Sequence, residues 1–270
     1  MSEISILVVG NTDRSEFRRA RGQLDALGKV LAVADAEEAA AALAEGESTP
    51  DVIVVAQAYP HEFSHQAIDL LRRLAPLARV VGLLGSWCEG EVRTGRPWPA
   101  AIRTYWHQWL PRCDQEIERM RRGQCAAWGL PVTATEEERL LLTAEQPAAA
   151  RQGLIAIHAR SAEMEDWLSG VLRSRGYATV WLRPPRPARV DGAAAAVFDG
   201  SDCRGEELAR LRRMVAALGS SNSGGAVPVV ALLSFPRIED HDRALAAGAA
   251  AVLSKPLHVE DLYWQLDRLV

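Results

Sequence analysis

Short runs of almost wholly apolar residues recur along this chain, and they constrain its fold more than any other feature. Ile4–Val9, Val52–Val55 and Val80–Leu84 lie in the first half; Leu154–Ile157, Ala193–Phe198, Val229–Leu233 and Ala250–Leu253 lie in the second. A strand with one wet face alternates apolar and polar residues. A run without that alternation has no side to turn to water, so each reads as a central strand of a parallel sheet covered on both faces. Helical spacing separates the runs. In Asp13–Leu27, Phe17, Leu24 and Leu27 share one side, arginines take the other, and Gly28 stands just past the end. Ala36–Glu45, Ala67–Leu77 and a segment through Ile117 and Met120 continue the pattern in the first half. Ala162–Arg173, Gly205–Leu218, His241–Ala247 and Val259–Leu269 do so in the second.

Val30–Val33, Ile102–Trp106 and Ala178–Leu182 bring each half to five strands, and Val80-Val81-Gly82-Leu83-Leu84 matches Val229-Val230-Ala231-Leu232-Leu233 as a duplication would. Between the halves, residues 123–150 mix Gly129, Pro131, Thr133, Thr135 and Pro147 around one helix at Glu136–Leu142, a linker composition. The expectation is an α/β protein of two domains, 1–122 and 151–270, joined by a linker at 123–150. Each is a five-stranded parallel sheet in the flavodoxin-like order 2-1-3-4-5, flanked by helices. Neither GxGxxG nor GxxxxGK[ST] occurs, so the usual nucleotide-cradling loops are absent.

Thirty-one basic residues against 35 acidic ones give a net charge of −4, which argues against a nucleic-acid partner. The four cysteines are scattered without a CxxC pair, as suits a reducing compartment. No apolar stretch approaches the ~20 residues of a membrane span, and Met1-Ser2-Glu3-Ile4 has no basic n-region. A cytoplasmic location without membrane contact is expected.

The segment from Ala247 through Lys255-Pro256-Leu257 to Leu262, a buried strand ending in Lys-Pro before a helix, resembles the end of a bacterial response-regulator receiver (CheY-like) domain. The resemblance covers both halves and implies a phosphorylation pocket at the strand ends, as in two-component signalling and phosphorelay proteins. An acidic pair after the first strand would hold Mg²⁺, and an Asp ending the third would accept a phosphoryl group. A Ser or Thr and a Lys would bind its oxygens. In the second half Lys255 fits the lysine, Asp199 the acceptor and Ser234 the hydroxyl residue, with Leu233 as the competing register. His158-Ala159-Arg160 stands where the acidic pair belongs, leaving Asp202 as the only other nearby anion. A direct Asp199–Lys255 salt bridge is the favoured reading. In the first half the acidic pair becomes Gly10-Asn11 and the acceptor Ala56. Gly85 or Ser86 stands for the hydroxyl residue and His107 for the lysine. That half is expected to be a pseudo-receiver.

His61-Glu62-Phe63-Ser64-His65 matches HExxH, in which two histidines on one helix face bind zinc. Leu71 stands where a metzincin's third ligand would be, and the motif follows Pro60 into a loop or first helical turn, where solvated polar residues are the plainer expectation. No metal is expected there.

Trp87, Trp98, Trp106 and Trp109 are half of the eight tryptophans, and Pro97 and Pro99 rule out a regular fourth helix beside them. One reading has them plug the gap, with Arg93 and Arg96 stacked on them or paired with Glu89 and Glu91. The other makes Trp87, Glu89, Arg93, Arg96, Trp98, Trp106, His107 and Trp109 a partner-binding surface. Cys88, beside carboxylates, is expected to be unreactive.

Three functions follow as expectations. The preferred one is a non-catalytic signalling or scaffold protein without cofactor, acting on protein partners, a second copy of the chain among the candidates. A phosphorylatable regulator using Asp199, with Mg²⁺, is the second. A small-ligand or enzymatic site at the strand ends of the first domain, lined by Ser86, Glu89 and His107, is the third.

Overall fold

Ile6, Leu7, Val8 and Val9 are each no more than 1% exposed, because the first strand lies between two neighbours and under helices on both faces. The computed structural model describes residues 4–46, 49–98, 102–131, 133–144, 150–183, 189–219 and 225–270. The chain divides into two units, Met1–Glu145 and Gln146–Val270. Unit 1 runs β1 (Ile4–Val9), α1 (Arg18–Leu27), β2 (Gly28–Val33), α2 (Ala36–Ala44), β3 (Val52–Gln57), α3 (His65–Leu74), β4 (Arg79–Leu84), α4 (Glu91–Thr94), β5 (Ile102–Tyr105), α5 (Trp106–Arg121) and α6 (Glu136–Ala144). Unit 2 runs β6 (Leu154–His158), α7 (Ala162–Ser174), β7 (Ala178–Trp181), β8 (Ala195–Asp199), α8 (Gly205–Ala217), β9 (Val229–Ser234), α9 (Ile238–Ala246), β10 (Ala251–Lys255) and α10 (Val259–Leu269).

The sheets are wholly parallel, ordered β2-β1-β3-β4-β5 and β7-β6-β8-β9-β10. This is the expected 2-1-3-4-5 order, twice. Each face of the unit 2 sheet carries its own core. Phe198, Ala231 and Leu233 lie in one, and Ile157, Val197, Leu232 and Leu253 in the other. Side chains two apart share a face, so Asp199, Ser234 and Lys255 continue the second set out of the core at the strand ends.

Two expectations are corrected. Helix α1 begins at Arg18 rather than Asp13, since the N–H groups of Phe17 and Arg18 both turn back to the Arg14 carbonyl. Much of the segment read as linker is packed. Trp128 is buried against Trp109 at 5.6 Å, and its backbone N–H donates to Glu116 Oε2 at 2.6 Å, which ties residues 126–129 to the unit 1 core. Pro99, Pro147, Ala148 and Ala149, which entered the loop and linker readings, lie outside the described residues.

Candidate functional site

In unit 2 the ladder sets Asp199 opposite Leu232 and Lys255 opposite Ser234. Ser234, not Leu233, therefore ends the fourth strand beside the lysine; Leu233 is fully buried. Lys255 Nζ donates to Asp199 Oδ1 at 2.5 Å, with Asp199 6% and Lys255 21% exposed at the side chain. Ser234 is exposed, its backbone N–H tied to the Ser201 carbonyl at 2.8 Å.

An arginine occupies the ground of the acidic pair. Arg160 Nη1 donates to Ser201 Oγ at 2.7 Å and to Glu207 Oε1 at 2.8 Å. Glu207 also accepts the N–H groups of Ser201 and Asp202 at 2.8 and 2.9 Å. Burial works to raise the Glu207 pKa, but those N–H bonds and the Arg160 charge outweigh it and hold the carboxyl below its ordinary value. Sequence reasoning missed Glu207, because it reaches the site from α8 rather than from a strand end. Asp202 is spent on its own loop, accepting the Arg204 N–H at 3.3 Å. Among the described residues no three His, Cys, Asp or Glu side chains gather as a metal ion would require. His158, the last residue of β6, is buried, stacked on Phe198 at 5.2 Å, and donates from Nδ1 to the Leu182 carbonyl at 3.0 Å. Burial lowers its pKa, so the ring is held neutral.

Unit 1 has filled the corresponding ground. Ala56 pairs with Leu83, and Leu84 with Tyr105. Aligning these ladders with those of unit 2 sets Ala56 in the place of Asp199, Gly85 in that of Ser234 and Trp106 in that of Lys255. The expectation that His107 replaces the lysine is off by one residue. Gly85 leaves no room for a hydroxyl, since a Cβ there would sit 2.5 Å from Glu16 Oε1 and 3.0 Å from the Ala58 carbonyl. Gly10 is left-handed, and its Cβ would strike the Ala56 carbonyl at 2.7 Å, so no acidic residue fits there unstrained. Glu16 Oε2 takes the Ser86 N–H and hydroxyl at 3.0 and 3.1 Å, and Ser86 Oγ accepts Trp106 Nε1 at 2.9 Å. His107 Nε2 donates to Glu89 Oε1 at 2.8 Å. Ser86, Glu89 and His107, read as lining a ligand site, spend these groups on one another and on their neighbours.

The tryptophan-rich segment is mostly interior. Trp98, Trp106, His107 and Trp109 are all buried; only Trp87, with Arg93 and Arg96, stands exposed, and Glu89 is half-buried. The proposed eight-residue recognition surface is corrected accordingly. Helix α4 is a single turn, and Trp98 takes the vacated space, against Phe63 at 6.3 Å and over Gly82, with its Nε1 bonded to the Phe63 carbonyl at 3.0 Å. Glu91 pairs with Arg103 at 2.6 Å rather than with Arg93 or Arg96. Cys88 is buried, and burial pushes its thiol up to about 11, as expected of an inert cysteine.

HExxH does not form one helix face. His61 is left-handed and precedes the Ser64 cap of α3, where His65 is the first residue and donates to the Arg96 carbonyl at 2.9 Å. Glu62 accepts the Ala58 N–H at 2.5 Å.

No family model matches the chain, and no curated protein matches it. Among solved structures it is similar to full-length ShkA in complex with AMPPNP (16% identity, TM-score 0.33, 98% of this chain and 50% of that one). It is also similar to a putative two-component system response regulator/GGDEF domain protein (15%, 0.34, 99% and 97%) and to the GsuK channel (15%, 0.28, 99% and 70%). The chain thus spans half the length of the first. These proteins differ from one another in kind, so the function is read from the residues of this chain.

Proposed function

We propose that the chain is a non-catalytic signalling scaffold of two receiver-like units that acts through contacts with other proteins. The observation that carries this reading is Arg160. A hard divalent cation needs two or three carboxylates beside the acceptor to neutralise charge during phosphoryl transfer. Here a guanidinium stands in their place, bonded to Ser201 and Glu207, so the one carboxylate that α8 brings near is already paired with Arg160. Lys255 already pairs directly with the Asp199 carboxylate at 2.5 Å. Unit 1 has an alanine for its acceptor. The protein needs no cofactor in this reading; its partners are proteins, with neither nucleic acid nor membrane. A reducing, cytoplasmic setting fits the unpaired cysteines.

The retained Asp199, Ser234 and Lys255 on one sheet face favour a second reading, a regulator phosphorylated at Asp199. Incubating the full chain with acetyl phosphate and Mg²⁺ and weighing it intact separates the two. The scaffold reading expects no phosphoryl adduct. An adduct that forms in the wild type and is lost in Asp199→Ala overturns it in favour of the second.

A further inference from the structure

At the opposite end of the unit 1 sheet, where β4 and β5 begin, lies a cleft of about 380 Å³. Pockets that take small molecules begin near ~300 Å³, so it is large enough for a small metabolite. Its described lining carries three arginines, Arg72, Arg79 and Arg139, and no Asp or Glu. Arg72 shares its charge with Asp69 at 3.3 Å. Arg139 donates to the carbonyls of Ala127 at 2.6 Å and Pro131 at 3.2 Å, which aim the guanidinium without neutralising it. Arg79 Nε is buried and has no hydrogen-bond partner. Among the described residues no carboxylate forms an ion pair with Arg79 or Arg139.

Burying a donor without a partner is costly, more so for a charged group, and an anionic oxygen seated against it would recover that cost. The rest of the wall is apolar. Trp128 is fixed by the Glu116 bond and the Trp109 contact, and Val80 and Leu130 stand near it. We infer that this cleft binds a small organic anion, a carboxylate or a phosphate monoester. Its charge is met by Arg79 and Arg139, and its apolar body lies on Trp128, Val80 and Leu130. The two arginines come from β4 and α6, so the ligand would also join α6 to the sheet.

The full chain is titrated with benzoate, phenyl phosphate, benzamide and inorganic phosphate, following the Trp128 indole N–H by nitrogen-15 NMR, assigned with Trp128→Phe. Benzoate or phenyl phosphate is expected to shift this resonance saturably, and which of them does so distinguishes carboxylate from phosphate. Benzamide and inorganic phosphate are expected to leave it unmoved. Arg79→Met is expected to weaken binding about tenfold or more, as loss of a charge-assisted hydrogen bond does. Gly129→Leu keeps every arginine but fills the space, since a Cβ there sits 3.4 Å from Arg79 Nε, and it is expected to block binding. The inference is overturned if neither organic anion shifts the indole, or if benzamide binds as well as benzoate. It also fails if inorganic phosphate binds as tightly as phenyl phosphate, or if Gly129→Leu binds like the wild type. Amide exchange confirms that each variant is folded.

Discussion

The strand ends of the two units share one ladder pattern and fill it in opposite ways. Unit 2 keeps charge and neutralises it: Asp199 with Lys255, Glu207 with Arg160. Unit 1 has no charge at the three corresponding positions, where Ala56, Gly85 and Trp106 stand, and Glu16, paired with Arg14 at 3.5 Å, occupies the space a hydroxyl would need. Isolated buried charge is far costlier than apolar filling, so strand ends without a lysine are more stable without an aspartate. The difference teaches that buried charge at these strand ends stands in pairs: where the lysine is absent, so is the aspartate.

The strongest test of this comparison puts the acceptor back into unit 1. Ala56 is 1% exposed, and no lysine stands opposite it. Ala56→Asp is expected to destabilise unit 1 by about 3–5 kcal/mol, the usual cost of an uncompensated buried charge. Urea unfolding with hydrogen-exchange mass spectrometry, read on peptides from β1 and β3, measures it unit by unit. If Ala56→Asp is tolerated, the first pocket is wetter and less filled than its packing indicates, and the contrast between the units weakens.

The reciprocal change in unit 2 is expected to cost less. Asp199→Ala leaves Lys255 without its partner, but that ammonium is 21% exposed and can turn towards water. A loss of about 1–3 kcal/mol is expected, partly recovered when Lys255→Met is added. Should the double variant be no better than the single one, the pair is not a mutual compensation and the argument from pairs fails. The same hydrogen-exchange readout serves, on peptides from β8 and β10.

How much of this contrast could be read beforehand depended on whether local pattern or tertiary contact decided each point. The central strands were legible, because a buried parallel strand declares itself by its own apolar run, as Val229–Leu233 does, whereas the edge strand Ile102–Tyr105 carries no such run. The Lys255–Asp199 pair was legible because it rests on strand ends and a count along the chain. That count missed in unit 1 because it was drawn to a basic residue, His107, whereas the ladder between Leu84 and Tyr105 delivers Trp106. The burial of Trp98, Trp106 and Trp109 was not legible as such. Short α4 announced a gap, but which side chains close it is decided by neighbours such as Phe63, Gly82 and Trp128 from distant parts of the chain. Glu207 was hidden for the same reason.

Acidification offers a gentler way to separate the units. His158 is buried and neutral in unit 2, with its pKa lowered below the ordinary histidine value of about 6.5 chiefly by burial. Above 6.5 the histidine is neutral in folded and unfolded chains alike and contributes no pH dependence. Between 6.5 and the lower folded value the unfolded chain binds the extra proton, so stability falls as pH falls. The slope cannot exceed about 1.4 kcal/mol per pH unit, the limit for one proton. Protection of β6 amides, measured from pH 7.5 downwards and corrected for the intrinsic pH dependence of exchange, is expected to fall more steeply in the wild type than in His158→Phe, which removes the titrating group. If the two follow the same pH profile, His158 is not the group that makes unit 2 acid-sensitive.

The smallest effect is expected at the residue most suited to meet a partner. Trp87 is 64% exposed, in tilted contact with Tyr59 at 6.4 Å, and Arg14 lies over the Tyr59 ring at 4.8 Å. Trp87→Ala exposes little that was covered, and unit 1 stability is expected to change by no more than about 0.5 kcal/mol, as for other surface substitutions. The fraction of tryptophan emission quenched by acrylamide is expected to drop, since the other described tryptophans of unit 1 are buried. This sets Trp87 apart from Trp98, whose ring fills the space beside Gly82 and Phe63. Truncating both together would unfold the site and report nothing about recognition. Trp87→Ala alone separates surface from core, and a stability loss comparable to that of Ala56→Asp would mean that unit 1 uses even its exposed tryptophan as filling.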